Sequence, residues 1–536
     1  MRSDTLADVR TPHSSGNALA ALPRAWRQGT RDPFTWLLVA GCLAAIALST
    51  MGIARSLDGD EGAFLAIAQL VLDGRVPYRD VFDQKGPGIY YYLAAILAIT
   101  AQLSPLQQII AARIGVELVN LLTAFGLVLL GKRWWRLEVG LLAGLLWLIC
   151  LPVYGGDQFF TEPFAAAATV WAVVVALRWP GVRGALGAGL LIALGSIFKQ
   201  TTILALPGVA LAVLAARPPA GRPWWRPSRL ALARLSALVA GVCAPWTIVC
   251  LLFAFTGGLG ALLDQVVVAN LVRYPADPPT AIRASIAGDI SALWGFWLIL
   301  GALLLVGVMR WAGIPRSWRH TPGLAVWVTV LIGALNLVPF ASHAYPHYFL
   351  QLLPWAALLV ALAFLPALDA WRAAVRRTAP TVEAIPARAL LASVALAGLL
   401  LLLSPPAQLP PTQWQADATE AQSQANVGTW IASYTPPNAR LLIAPTDPSY
   451  YFLARRTPAV PYVYLLPINL SPSLLTSATE QVRTRQFDVV VWQLGGVIGG
   501  QAPQFATLYQ ALLTHYHLAA RNTRLNIAIY LPNVLG

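Results

Sequence analysis

Six acids follow closely on the first long apolar run of the chain: Asp58, Asp60, Glu61, Asp73, Asp80 and Asp83. They lie in and between Leu57-Asp58-Gly59-Asp60-Glu61-Gly62-Ala63-Phe64 and Tyr78-Arg79-Asp80-Val81-Phe82-Asp83-Gln84-Lys85-Gly86-Pro87. A carboxylate beside an apolar wall has its pKa raised toward the range of a general base. The same acids would also serve an ordinary solvated loop. Lysine is the sharper clue. Of 37 Lys and Arg residues only Lys85, Lys132 and Lys199 are lysine. Lys132 sits in a basic cluster, whereas Lys85 and Lys199 map to the outer membrane boundary on the topology derived below. A compact ammonium there suits a phosphate oxygen. Two further turns carry polar groups between apolar runs. Tyr154-Gly155-Gly156-Asp157-Gln158-Phe159-Phe160-Thr161-Glu162-Pro163 places Asp157 and Glu162 at helix ends, where an acid either has a function or caps the helix. Ser342-His343-Ala344-Tyr345-Pro346-His347-Tyr348 holds two of the six histidines, suited to a phosphate, to a metal, or to anchoring at the interface.

These residues need a scaffold, and composition defines its class. The 536 residues are 57% hydrophobic and 11% charged, against roughly 25% charged in a globular protein. Mean hydropathy is +0.62. A soluble enzyme, a disordered chain and a disulfide scaffold are excluded, leaving a polytopic α-helical membrane protein. The net charge of +14 is spread between apolar runs, which indicates membrane orientation and not nucleic-acid binding. Cys42, Cys150, Cys243 and Cys250 all lie in apolar runs without CxxC spacing, so neither a disulfide nor a metal cluster is expected.

Apolar runs fall near 34–54, 88–104, 107–131, 137–155, 163–177, 185–198, 201–216, 231–255, 290–309, 322–341, 348–366 and 389–404. The basic residues of segment 1–33 and the cluster Lys132, Arg133, Arg136 both belong inside, so one of the three runs between them does not cross. Run 88–104 opens Gly-Pro-Gly-Ile-Tyr-Tyr-Tyr (from Gly86) and closes at Ser104-Pro105; it reads as an interfacial helix. The remaining basic loops then fall on the cytoplasmic side. The prediction is about eleven spanning helices, with 185–198 and 201–216 readable instead as one broken hairpin. It comprises a cytoplasmic segment 1–33, a membrane domain 34–404 with a first outer loop 55–105, and an outer α/β domain 405–536. That last domain shows helical patterns near 416–433 and 503–516 and strand patterns near 440–444, 487–492 and 527–530.

The order of motifs resembles the C-type (GT-C) glycosyltransferases. The closer likeness is to the family 39-like branch, with its protein O-mannosyltransferases and lipid A aminoarabinose transferases. Asp60-Glu61 after the first helix, Gly74-Arg75-Val76-Pro77-Tyr78-Arg79-Asp80, and Phe82-Asp83-Gln84-Lys85-Gly86-Pro87 carry the resemblance. Thr161-Glu162, Phe198-Lys199 and His347-Tyr348-Phe349-Leu350-Gln351-Leu352-Leu353-Pro354 add to it. The resemblance implies inverting transfer of a sugar from a polyprenyl phosphate to an acceptor hydroxyl on the outer face of the plasma membrane. Asp60 is then the general base with Glu61 beside it, Lys85 meets the departing phosphate, and Lys199 and His347 are further phosphate contacts. Asp157 or Glu162 positions the acceptor, which is a protein, lipid or polysaccharide. Where the aminoarabinose branch has an arginine and an acid, this chain has Ala63 and Gln84. No cation requirement carries over, and a divalent cation stays open. The other reading is a lipid or glycan translocator without transferase activity, which would depend on the mid-helix charges Arg113 and Glu117.

Overall fold

The computed structural model describes residues 33–49, 53–216, 228–274, 276–294, 297–298, 300–301, 321–364, 411–445, 447–463, 472–494, 503–523 and 526–533. Helix α1 (Pro33–Ser49) leads into segment 53–104, which holds α2 (Gly59–Leu72) and α3 (Gly88–Ile99). Then come α4 (Pro105–Trp134), α5 (Leu137–Cys150, extended by a 3-10 turn Leu151–Tyr154), α6 (Glu162–Arg178) and α7 (Val182–Phe198). A 3-10 turn, Gln200–Ala205, joins α7 to α8 (Leu206–Ala215), and α9 (Arg229–Phe255) follows. The segment after α9 contains α10 (Leu259–Leu263), which runs into a π-helical stretch, Asp264–Arg273, and then α11 (Pro279–Ala292). Helices α12 (Thr321–Leu335) and α13 (Phe349–Ala363) flank the 3-10 turn Pro346–Tyr348.

Local chemistry explains the element ends that matter. Helix α4 begins at a capping box: the Gln107 N–H donates to Ser104 Oγ and the Ser104 N–H to Gln107 Oε1, with Pro105 at the first helical position. Lys132 and Arg133 close its last turn, where cations complement the helix dipole. At about 1.5 Å per residue its 30 residues exceed the roughly 30 Å hydrocarbon core. Small residues let the helices touch. A Cβ on Gly131 would stand 2.3 Å from the Gly140 backbone, joining α4 to α5. One on Gly189 would stand 2.1 Å from Leu238 O, joining α7 to α9. Backbone-to-backbone approach of this kind drives helix association where lipid removes the hydrophobic incentive.

Among the described residues three helical stretches are long and apolar enough to cross a membrane: Pro105–Trp134, Leu137–Tyr154 and Arg229–Phe255. Six shorter apolar helices accompany them, α3 and α7 included. Run 88–104 forms a helix of only 12 residues, about 18 Å long, so it is too short to span alone. Runs 185–198 and 201–216 form two helices broken at Lys199 by the 3-10 turn. Segment 1–32, most of run 290–309, run 389–404 and the proline-rich stretch after it lie outside the described residues.

The C-terminal part contains α14 (Pro411–Tyr434), β1 (Leu441–Ala444), α15 (Ser449–Leu453), α16 (Pro472–Arg483), β2 (Val489–Gln493), α17 (Ala506–His515), β3 (Tyr516–Asn522) and β4 (Ile527–Pro532). The four strands make one sheet in the order β1-β2-β4-β3, with β1 parallel to β2 and the other pairs antiparallel. The expected helices and three expected strands are present; α15, α16 and β3 had no clear pattern. The C-terminal part packs closely on segment 53–104. Phe64, Ile67 and Tyr90 share one hydrophobic cluster with Ile431, Tyr451 and Ile529. A Cβ on Gly62 would meet Ser449 at 2.3–2.6 Å, so α15 lies directly on α2. The Leu57 N–H donates to Gln424 Oε1 at 2.8 Å, and Gln424 Nε2 returns a bond to Leu57 O.

Candidate active site

Helix α2 starts at Asp58, whose side chain accepts from the Asp60 N–H, while Glu61 accepts from the Asp58 N–H. That capping box fixes the first turn, and successive helical residues point about 100° apart. Asp60 and Glu61 therefore serve two different clusters.

Asp60 faces Lys85, whose Nζ lies 3.2 Å from Oδ2; the two side chains are 23% and 13% exposed. Lys85 comes from the extended loop before α3. Gly86 lets that loop lie against the end of α7, because a Cβ there would stand 2.1 Å from Ile197 O. Lys199 caps the same helix end, and its Nζ reaches Glu162 Oε1 at 2.6 Å and stands 4.4 Å from the centre of the Tyr348 ring. His347 Nε2 is 3.8 Å from the same Glu162 oxygen. Five of the seven expected site residues (Asp60, Lys85, Glu162, Lys199 and His347) thus meet in one largely buried patch, drawn from five separate parts of the chain.

The charges act on one another. Burial would raise the Asp60 carboxyl, but Lys85 and His347 hold it below the usual carboxylate value, so it is ionised at neutral pH. Burial works against the Lys85 ammonium, but Asp60, Tyr348, Glu162 and Asp83 keep its pKa well above the usual lysine value. His347 is lowered to about 4, by burial first and by the two lysines against Glu162, and is neutral at pH 7. Asp83 rises to about 6, chiefly through burial.

Glu61 and Asp157 stand apart from this patch. Glu61 pairs with Arg113 through Nη2–Oε2 at 2.5 Å and Nε–Oε1 at 3.1 Å, both side chains fully buried. It also accepts from Gln158 Nε2 and from the Phe159 N–H. Arg113 further donates to the carbonyls of Ile53, Arg55 and Ser56, and Asp157 pairs with Arg55. The expected neighbour of the base is therefore a brace for the chain entering α2, and Asp157 and Glu162 do not act on one spot.

Sequence reasoning missed the groups that hold the Lys85 loop. Gln265 accepts from the Asp83 N–H and donates to Tyr78 O, and Asn270 Nδ2 and Gln200 Nε2 both donate to Gln84 O. Amides in the apolar stretch Asp264-Gln265-Val266-Val267-Val268-Ala269-Asn270 were the available signal. Also missed was a line of rings running Phe160, His347, Tyr345, His343 and Tyr274, with neighbouring centroids 4.2–5.9 Å apart. Among the described residues no group of three or more His, Cys, Asp or Glu could hold a metal ion.

This arrangement of segment 53–104, helices and C-terminal sheet is the GT-C fold of membrane glycosyltransferases. ArnT from Cupriavidus metallidurans, in a crystal structure bound to undecaprenyl phosphate, matches with a TM-score of 0.57 and 16% identity over 94% of this chain and 98% of that one. The Archaeoglobus fulgidus oligosaccharyltransferase, tethered to an acceptor peptide, matches with a TM-score of 0.56 and 12% identity over 93% of this chain and 74% of its own. The same archaeal enzyme, AglB, in complex with an inhibitory peptide and a dolichol-phosphate, gives 0.53 at the same identity and coverage. No known protein family and no curated protein matches the sequence, so the likeness is one of fold.

Proposed function

We propose that the chain is an inverting membrane glycosyltransferase that moves a sugar from a polyprenyl phosphate to an acceptor hydroxyl. The observation that carries this reading is the meeting of an ionised carboxylate, Asp60, with two lysines, the largely buried Lys85 and the buried Lys199, in a GT-C fold. ArnT holds undecaprenyl phosphate and AglB a dolichol-phosphate in their structures, and both are lipids of the proposed donor class. In the reaction the acceptor oxygen attacks the anomeric carbon and its proton passes to Asp60. The bond from that carbon to the phosphate oxygen breaks, and its electron pair leaves with the polyprenyl phosphate. Lys85 turns from Asp60 to the departing phosphate, and Lys199 and neutral His347 supply further donors. Glu162 orients Lys199 and His347. We place the site at the outer face of the plasma membrane, with residues 1–33 in the cytoplasm and 411–536 outside.

The translocator reading draws no support from Arg113, which is committed to Glu61 and three backbone carbonyls. The test incubates membranes containing wild type or Asp60→Asn with polyprenyl-phosphate sugars and native membrane extract. Mass spectrometry then reads free polyprenyl phosphate. Wild type should release it, and Asp60→Asn should be slower by about 10²–10⁴-fold while still binding donor lipid. Equal release by both would remove Asp60 as base.

A further inference from the structure

The motif Gly74-Arg75-Val76-Pro77-Tyr78-Arg79-Asp80 contributes no group to the reacting patch, yet it forms one wall of a cleft of about 340 Å3. Leu70, Asp73, Arg75 and Asp80 line one side and residues 457–461 of the C-terminal part the other. The volume falls within the roughly 300–1,000 Å3 of small-molecule sites.

The lining has a definite chemistry. Asp80 is neutralised in place: Arg79 grips both its oxygens at 2.8 Å, and Oδ2 also accepts from the Val76 N–H. Asp73 and Arg75 are exposed and make no side-chain hydrogen bond among the described residues. The cleft therefore offers one carboxylate and one guanidinium that hold no side-chain hydrogen bond, with no net charge, in a mostly polar lining that includes the rings of Pro458 and Pro461. A phosphate would meet Asp73, and a simple cation would meet Arg75. A neutral polyhydroxyl ring meets neither obstacle, because its hydroxyls donate to the carboxylate, accept from the guanidinium, and its C–H face lies on the prolines.

The cleft is built rigidly onto the Lys85 loop. Gly74 (φ +79) and Tyr78 (φ 67) take the left-handed conformation that turns the motif back on itself. The Tyr78 hydroxyl donates to Lys85 O at 2.8 Å, and the Phe82 N–H donates to Pro461 O at 2.8 Å. Ten residues of α2 separate Asp60 from Leu70, about 15 Å along the helix.

We propose that this cleft binds a neutral saccharide, the distal sugars of a glycan acceptor whose reacting hydroxyl lies at Asp60. The acceptor role rests on the transferase reading; the binding of a neutral glycan does not. The full-length chain, purified in detergent, is screened against neutral oligosaccharides from di- to hexasaccharides, as wild type and as the Asp73→Asn/Arg75→Ala double variant. Binding of undecaprenyl phosphate is measured in parallel by native mass spectrometry. Wild type should retain a subset of the oligosaccharides and the variant should lose about tenfold in affinity for them, with lipid binding unchanged. Both substituted side chains are exposed and unbonded, so the variant keeps the fold. Retention unchanged in the variant, or no oligosaccharide bound by wild type, overturns the proposal. Glycan retention that is lost in the double variant, with no binding of undecaprenyl phosphate by either protein, keeps the saccharide site and removes the transferase reading.

Discussion

The Lys85 ammonium governs the charge of Asp60. Burial alone would raise that carboxyl, and Lys85 is the largest influence bringing it below its usual range. In Lys85→Gln the burial remains and the opposing charge is gone, so the acid limb of kcat/KM should move to higher pH while KM for the donor lipid rises. A pH–rate profile of the residual activity checks this, and an unmoved acid limb would mean that Asp60 is not the titrating base. Asp83 makes the opposite case. Its pKa rises from an ordinary 3.8 to about 6, mainly through burial. A raised folded-state pKa gives stability that is fully present below the unfolded value and lost as pH rises through the folded one. Asp83→Asn keeps an oxygen for the Lys85 N–H and removes the titration. Its Tm relative to wild type should therefore become more favourable between pH 4 and pH 7, and the reverse trend would show that Asp83 is stabilised as an anion.

Two elements position the reacting patch, and each depends on a residue outside it. The Lys85 loop lies on the end of α7 because position 86 has no Cβ. In Gly86→Ala the added carbon meets the backbone at Ile197, so the loop must lift and carry Lys85 away from Lys199. A displacement of about 1 Å can cost about 10²-fold in rate, and kcat/KM should fall by at least that much. Thermal unfolding measured alongside should show a smaller change than in Arg113→Ala. Arg113 lies in α4 and braces α2 through Glu61, so its removal leaves a buried carboxylate and three carbonyls without their donor. Breaking a buried pair of this kind costs about 3–5 kcal/mol. Arg113→Ala should lower Tm sharply and open the chain near residues 53–58 to limited proteolysis. Retained protection there would show that the capping box alone holds α2.

At the scale of the molecule, the C-terminal part is a structural partner of α2 and not an appendage. It covers α2 at Gly62, fastens Leu57 through Gln424 and supplies one wall of the cleft. A chain ending at residue 410 would expose Phe64 and Ile67, which are buried in the shared cluster. It should release no polyprenyl phosphate, and co-expression of 411–536 as a separate chain should restore release in proportion to the complex recovered. Full activity of the shortened chain would show that the membrane part holds segment 53–104 unaided.

Amino-acid order alone determined the membrane class, because an 11% charged chain with apolar runs of this length has few other ways to bury its surface. It marked element boundaries where the signal is local, at Ser104-Pro105 before α4 and at the basic turn around Lys132, whereas Asp58 was legible only as an acid and not as the cap of α2. It also marked Asp60, Lys85, Glu162, Lys199 and His347 as chemically unusual, since charge at an apolar boundary stands out in any register. Tertiary structure decided which of those charges meet. Asp60 and Glu61 are adjacent in the chain, but helical rotation and the position of Arg113 send one to Lys85 and the other into the brace. Gln265, Asn270 and Tyr274 were hidden for a related reason. Their value lies in contacts across the bundle with the loop around Tyr78, Gln84 and Lys85 and with Tyr345, and no local pattern records a contact between residues so far apart in sequence.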